Sequence, residues 1–205
     1  MPQTTDPTDD AQFDTTRWAE ALLHSRRTTL PKRLAAPGPD KIQQQTILLA
    51  ASAAPDHGQL LPWRFVEVPE SQRPRLADVF AQALLERDAT AAAEDVEQAR
   101  EKAYRSPWLL LAVGRVRGGD TGIPAQERLL SAGAAIQNML LTATAMGYGS
   151  ALTSGKALQS APFRQLFALQ ADEDALCFIN MGTIQSSRSQ RARPAVSSYF
   201  SSLGG

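Results

Sequence analysis

The chain has 205 residues, 43% of them hydrophobic, with 21 Lys plus Arg against 21 Asp plus Glu. That length suits one domain whose core needs no disulfide or metal, and a neutral chain without a basic stripe offers nucleic acid no electrostatic footprint. No apolar run approaches the ~20 residues of a membrane span, the N-terminus has no apolar signal region and the lone Cys177 excludes an internal disulfide, so a cytoplasmic protein is expected.

Residues 1–12 are polar and aperiodic and read as a disordered tail, with a single domain over 13–205. Phe13, Arg17, Trp18, Ala21 and Leu22 share one helical face and predict a first helix running to about Arg26. Pro31, Pro37, Gly38 and Pro39 mark a turn-rich segment. Asp40 with Gln43 forms a capping box for a second helix, whose apolar face is read as Ile42, Thr46, Leu49 and Ala50. Trp63 to Val68 is a strand by its aromatic and β-branched content, and Pro69 closes it. Ser71 is the expected cap of a third helix carrying Leu76, Val79, Phe80, Ala83 and Leu84. Ala89 to Arg105 reads as a weakly amphipathic, exposed helix.

Trp108 to Val113 is the longest apolar run and predicts a strand buried on both faces. Glu127 to Met146 predicts a helix with almost no polar face, so it is expected to be central or to sit in an interface, with Gly147 as its C-cap. Ser150 to Thr153 suggests a short strand, Ser160 starts a short helix, and Ala175 to Met181 is another buried strand. The tail from Ser186 is polar and basic until Tyr199-Phe200. Helices and strands mix without regular βα alternation, which predicts an α+β fold.

Several chemistries lack their motifs. Gly147-Tyr148-Gly149 follows a helix, whereas a dinucleotide loop lies between a strand and a helix. There is no phosphate-loop motif and no nucleophile elbow. His24, His57 and Cys177 do not make the usual zinc clusters, so no metal site is expected. Cys177 sits in an apolar strand and reads as an inert core residue; a nucleophilic pair with His57 has little behind it.

Four separated patches remain. Ser25-Arg26-Arg27-Thr28 places two guanidinium groups and a hydroxyl where a phosphate can be gripped, although arginines at a helix end also simply complement its dipole. Ala54-Pro55-Asp56-His57 leads through Leu61-Pro62-Trp63 into a strand, which an ordinary helix-to-strand loop also explains. Gly147 to Gly155 is a glycine-rich stretch whose small residues let a planar ligand approach the backbone. Phe178 to Thr183 is a strand entering a glycine turn, followed by Arg188, Arg191 and Arg193.

The order of these patches resembles the nitroreductase superfamily, in particular its short NAD(P)H nitroreductase branch, over roughly residues 17 to 200. Arg26-Arg27-Thr28 stands where the family carries Arg-Arg-Ser, Ala54-Pro55-Asp56-His57 matches the family turn, and Met181-Gly182-Thr183 matches its Leu-Gly-Thr strand end. Two departures stand out: Leu61 replaces a flavin-facing Gln, and Leu152-Thr153 replaces Trp-Arg ahead of Ser154-Gly155. The resemblance implies a nitroreductase-like sandwich, a mainly antiparallel sheet flanked by helices, entwined as a homodimer with FMN at the subunit interface. It implies an FMN-dependent oxidoreductase, a flavoprotein using NADH or NADPH as co-substrate and a nitroaromatic, quinone or related small molecule as acceptor. The implied cofactor residues are Arg26, Arg27, Thr28, His57, Leu61, Leu152, Thr153, Ser154, Arg191 and Arg193. Lys32 or Arg33 is implied near the pyrimidine edge. No side chain is assigned an acid or base role, and no partner in nucleic acid or membrane is expected. The alternative reading is an FMN carrier or sensor without efficient turnover.

Overall fold

The computed structural model describes residues 7–118, 122–186 and 192–204, with side chains from residue 14 onward. In chain order the elements are α1 (Pro7–Ser25), β1 (Leu34–Ala35), α2 (Lys41–Ala51), β2 (Trp63–Glu67), α3 (Arg73–Leu85), α4 (Ala93–Glu101), β3 (Trp108–Arg115), α5 (Ala125–Ala145), β4 (Gly149–Thr153), α6 (Ala161–Leu166) and β5 (Glu173–Ile184). Local chemistry sets many of the boundaries. Gln43 N donates to Asp40 Oδ1 and Asp40 N donates to Gln43 Oε1, each at 2.9 Å, which closes the capping box at the start of α2. Gly147 takes φ +84° just past α5, the left-handed conformation that ends a helix with little penalty for glycine. Ser160 caps α6 by accepting from Phe163 N.

The fold is α+β, and every strand pair is antiparallel. β5 is central: β3 pairs along one edge, with β2 beyond it, while β4 and the short β1 pair along the other. Alternation along β3 divides the core. Trp108, Leu110 and Ala112 join Ile47, Ile136 and Met139 on the α2–α5 side, and Leu109, Leu111 and Val113 join Leu76, Phe163 and Phe178 on the α3–α6 side. Helices therefore cover both faces of this antiparallel sheet, and β3 is buried from Trp108 through Gly114 as the apolar run predicts.

Four sequence-based expectations need correction. Helix α1 begins at Pro7, inside the segment read as a disordered tail; residues 1–6 lie outside the described residues. The inward face of α2 is Ile47 and Ala51, whereas Ile42 and Leu49 are 78% and 70% exposed and Thr46 is also exposed. That helix has two apolar stripes, and packing on α5 selects the one with the smaller residues. Ser71 lies in a 3₁₀ turn and does not cap α3, which starts with Pro74 in its first turn. The helix expected across Ala89 to Arg105 is confined to α4 and a following 3₁₀ turn.

Two arginines tie the layers together. Arg73 is buried and donates to the carbonyls of Val68, Ala103 and Ser106, so its guanidinium joins the end of β2 to the approach to β3. Arg64 on β2 donates from Nε and Nη2 to Glu173 at 2.7 and 2.8 Å, and Gln170 N adds a third bond at 3.0 Å. These hydrogen bonds outweigh the cost of burial and hold the Glu173 carboxyl at about 2, well below its ordinary 4.5. A depressed carboxylate contributes stability that is full above its unfolded pKa and lost as pH falls through the folded one. Glu173→Gln is therefore expected to cost about 2–3 kcal/mol at pH 7. The deficit should shrink between pH 5 and pH 2, read by urea denaturation of both proteins across that range. A deficit unchanged at pH 2 would show that shape, not charge, matters at this position.

Candidate functional site

The site is built where α1 ends against β4. Ser25 Oγ donates to Leu22 O at 2.8 Å at the helix end, and the chain then runs beside β4. Thr28 pairs with Ser150 as a parallel bridge, and Thr29 N donates to Ser150 O at 2.8 Å. Gly149 permits this approach: a Cβ there would fall 2.7 Å from Ile184, 2.8 Å from Leu34 and 3.0 Å from Thr29. A side chain there would have to displace the Ile184, Leu34 and Thr29 side chains that close around it. The C-terminal segment reaches the same place, since Arg193 Nη2 donates to Arg26 O at 3.1 Å. Arg26, Thr28, Ser150 and Arg193, remote in sequence, are thus neighbours.

The chemistry of this corner suits an oxyanion. Arg26 and Arg193 bring two guanidinium side chains to one segment, and among the described residues neither has a salt bridge to a carboxylate. Ser150 Oγ is buried and has no hydrogen-bond partner among the described residues. A phosphate brought here would meet cationic donors. Arg191 lies outside the described residues.

Further along β4, Leu152 and Ser154 are exposed, and Thr153 Oγ1 accepts from Asn180 Nδ2 at 3.0 Å. Asn180 is a buried polar residue on β5 that also donates to Ala151 O. It received no role from the sequence, although a lone amide within Phe178-Ile179-Asn180-Met181 was a signal, because a polar group in an apolar strand needs partners. Beside Thr153, Ser154 and Gly155 opens a cavity of about 650 Å³, whose wall includes Lys32.

The second patch is built separately. Gly58, Gln59 and Leu61 all take positive φ, at +67°, +53° and +47°. Non-glycine residues in this region carry backbone strain that surrounding contacts must hold. Here Asp56 Oδ2 accepts from Leu61 N at 2.8 Å, and Ser131 on α5 donates to Pro55 O. The turn presents Leu61 to solvent, 59% exposed. His57 Nδ1 lies 2.8 Å from Glu127 Oε2, a partner in the first turn of α5 that sequence spacing did not reveal.

His57 and Leu61 are therefore anchored at the start of α5, while β4 follows its end. A 21-residue helix is roughly 30 Å long. Within one chain the structure brings Arg26, Thr28 and Arg193 together beside β4, with Leu152, Thr153 and Ser154 further along, but leaves His57 and Leu61 at the other end of the central helix. Cys177 lies in the core, and burial pushes its thiol up to about 11, so a thiolate nucleophile has no basis there. Among the described residues no group of three or more His, Cys, Asp or Glu side chains is placed to hold a metal. No helix among them is long and apolar enough to cross a membrane.

A helix-covered antiparallel sheet, with a basic helix end packed on a glycine-containing strand, defines an α+β protein. A sequence profile of the Nitroreductase family matches residues 23–183, and the chain belongs to that family of oxidoreductases. It is 33% identical over 167 residues to the Escherichia coli K12 protein named "Putative NAD(P)H nitroreductase YdjA", covering 80% of this chain and 87% of that one. Its fold matches a nitroreductase-like family protein of Bacillus cereus with TM-score 0.78 at 17% identity, over the whole of both chains. It also matches the NADPH:FMN oxidoreductase of Vibrio harveyi complexed with NAD+, with TM-score 0.68 at 18% identity over 89% of this chain and 76% of that one.

Proposed function

We propose that this protein is a homodimeric flavoenzyme that binds FMN and passes electrons from NADH or NADPH to a small organic acceptor such as a nitroaromatic or quinone. One observation carries the reading: the phosphate-type corner and the His57–Leu61 turn sit at opposite ends of α5, so a single site using both draws on two copies. Exposed apolar residues support the pairing. Ile42 and Leu49 on α2 and Leu130 on α5 (74% exposed) have no partner surface among the described residues, and Tyr199 and Phe200 of the C-terminal segment are also exposed. Where such side chains form one contiguous patch, the patch marks an interaction surface.

In this arrangement Arg26 and Arg193 hold the phosphate of FMN, with Arg27 and Thr28 beside them. Leu152, Thr153 and Ser154 line the cofactor from one subunit, while the partner's His57 and the partner's Leu61 line it from the other. When bound, FMN supplies the two-electron chemistry, and the protein supplies binding, orientation and exclusion of water. The relatives' names, NAD(P)H nitroreductase and NADPH:FMN oxidoreductase, support the same pair of cofactors.

A second reading, an FMN carrier, is favoured by one feature: exposed Leu152 and Asn180-bound Thr153 offer no charge where the family resemblance implies Trp-Arg. The purified protein is expected to be yellow, with about one FMN per subunit as a site at each end of a symmetric pair implies. Anaerobic stopped-flow should show NADH or NADPH bleaching the flavin absorbance. A yellow protein that does not bleach supports the carrier, and a colourless protein that takes up no FMN overturns both readings.

A further inference from the structure

We infer that the cavity beside Thr153 binds a carboxylate-bearing aromatic electron acceptor. This rests on the oxidoreductase reading above and adds the chemical class of the acceptor. Lys32, Arg87, Lys102, Arg105 and Lys156 line the cavity, and among the described residues no Asp or Glu does. The chain as a whole has equal numbers of acidic and basic residues, so this segregation does not follow from composition. The five cations come from four places: the segments after α1, α3, α4 and β4. Among the described residues Lys32, Arg87, Lys102 and Lys156 have no salt bridge, and the bond of Arg105 to Glu101 is long at 3.9 Å. Like charges gathered around one concavity repel one another and are relieved by an anion.

The wall beneath the charges is apolar. Phe80 and Phe178 meet edge to face at 5.9 Å, and Leu109 joins them. Asn180 places a buried amide in the same wall. A volume of about 650 Å³ is in the range of small-molecule sites. An aromatic ring fits the Phe80–Phe178 wall while its carboxylate faces the lysines and arginines; a neutral ring uses the wall alone. For 4-nitrobenzoate the balanced step is NADH + H⁺ + ArNO₂ → NAD⁺ + ArNO + H₂O. Two electrons reach the nitro group, and one of its oxygens leaves as water.

The test is calorimetric titration of the FMN-loaded protein with 4-nitrobenzoate and with its neutral counterpart 4-nitrobenzamide. The acid is expected to bind about tenfold more tightly at low salt, a difference of about 1.4 kcal/mol. The preference should narrow at about 0.5 M salt, where screening shortens the reach of exposed charges. Lys102→Gln together with Arg105→Gln should remove most of it and leave the melting temperature unchanged, since both side chains are exposed. Equal binding of the two probes overturns the inference. So does a preference that survives both high salt and the double variant. Acid binding seen only in FMN-free protein also overturns it, because the cations would then serve the cofactor. A colourless protein that takes up no FMN sinks the flavoenzyme reading separately, and the same titration on that protein still shows whether the cavity selects the anion.

Discussion

Replacing both Ile42 and Leu49 with arginine is expected to leave a folded monomer with FMN affinity reduced at least a hundredfold. The two residues lie seven apart on α2, on one face, and are 78% and 70% exposed in the single chain. Their substitution leaves Ile47 and Ala51 in the core and leaves the Asp40–Gln43 capping box untouched. Burying each of these side chains in a partner contributes about 1.5–3 kcal/mol. A two-fold axis counts each residue twice, giving four losses. Their sum of roughly 6–12 kcal/mol is comparable with the ~8 kcal/mol of a micromolar dimer, before any cost of burying arginine. A monomer keeps Arg26 and Arg193 but lacks the partner's His57 and the partner's Leu61, which is why cofactor affinity falls with assembly. Sedimentation velocity reads the first effect and flavin fluorescence titration the second, with circular dichroism confirming that the subunit folds. A double variant that remains a dimer would remove α2 from the interface. A monomer that still binds FMN tightly would mean that one chain holds the whole site.

Arg26→Ala is expected to weaken FMN binding by one to two decades, and more than Arg193→Ala does. A charge-assisted phosphate contact contributes roughly 1.5–3 kcal/mol, which sets that range. Arg26 directly follows α1, and the neighbouring Thr28 and Thr29 are pinned to Ser150, so little freedom is lost when it grips a phosphate. Arg193 stands on a segment with few internal bonds and reaches the site through the carbonyl of Arg26. That carbonyl survives in Arg26→Ala, so the variant removes one guanidinium without releasing the C-terminal segment. Arg26→Lys should recover part of the loss, since it keeps the charge and loses the two-pronged geometry. Unchanged affinity in Arg26→Ala would move the phosphate elsewhere, and the cations of the cavity beside Thr153 would be the next candidates.

The parts of the molecule legible in the amino-acid sequence are those whose physics is local. The Asp40–Gln43 box, the Gly147 stop and the Ser160 cap each depend on atoms within three or four residues. The double-sided burial of β3 was legible because six apolar residues in a row leave no face for water. The α+β class followed from the order of such elements, and the family from motifs in order along the chain. Other features had no local signature. β1 is two residues long and exists only because Leu34 and Ala35 meet Ile184 and Thr183. Gly149 reads as an ordinary turn glycine until Leu34, Thr29 and Ile184 close around it. The inward face of α2 was misassigned because larger apolar residues are the natural choice for a core, whereas the register of α5 admits the stripe of Ile47 and Ala51. The pairing of Asn180 with Thr153 and of His57 with Glu127 joins residues 27 and 70 positions apart, and the five cations around one cavity come from four segments spread between Lys32 and Lys156. Hydrogen-bonding propensity and hydrophobic period act over one or two turns of chain, so they determined the elements and their caps. Which faces meet, and which charges share a concavity, depends on contacts that come into being only when the sheet and helices pack.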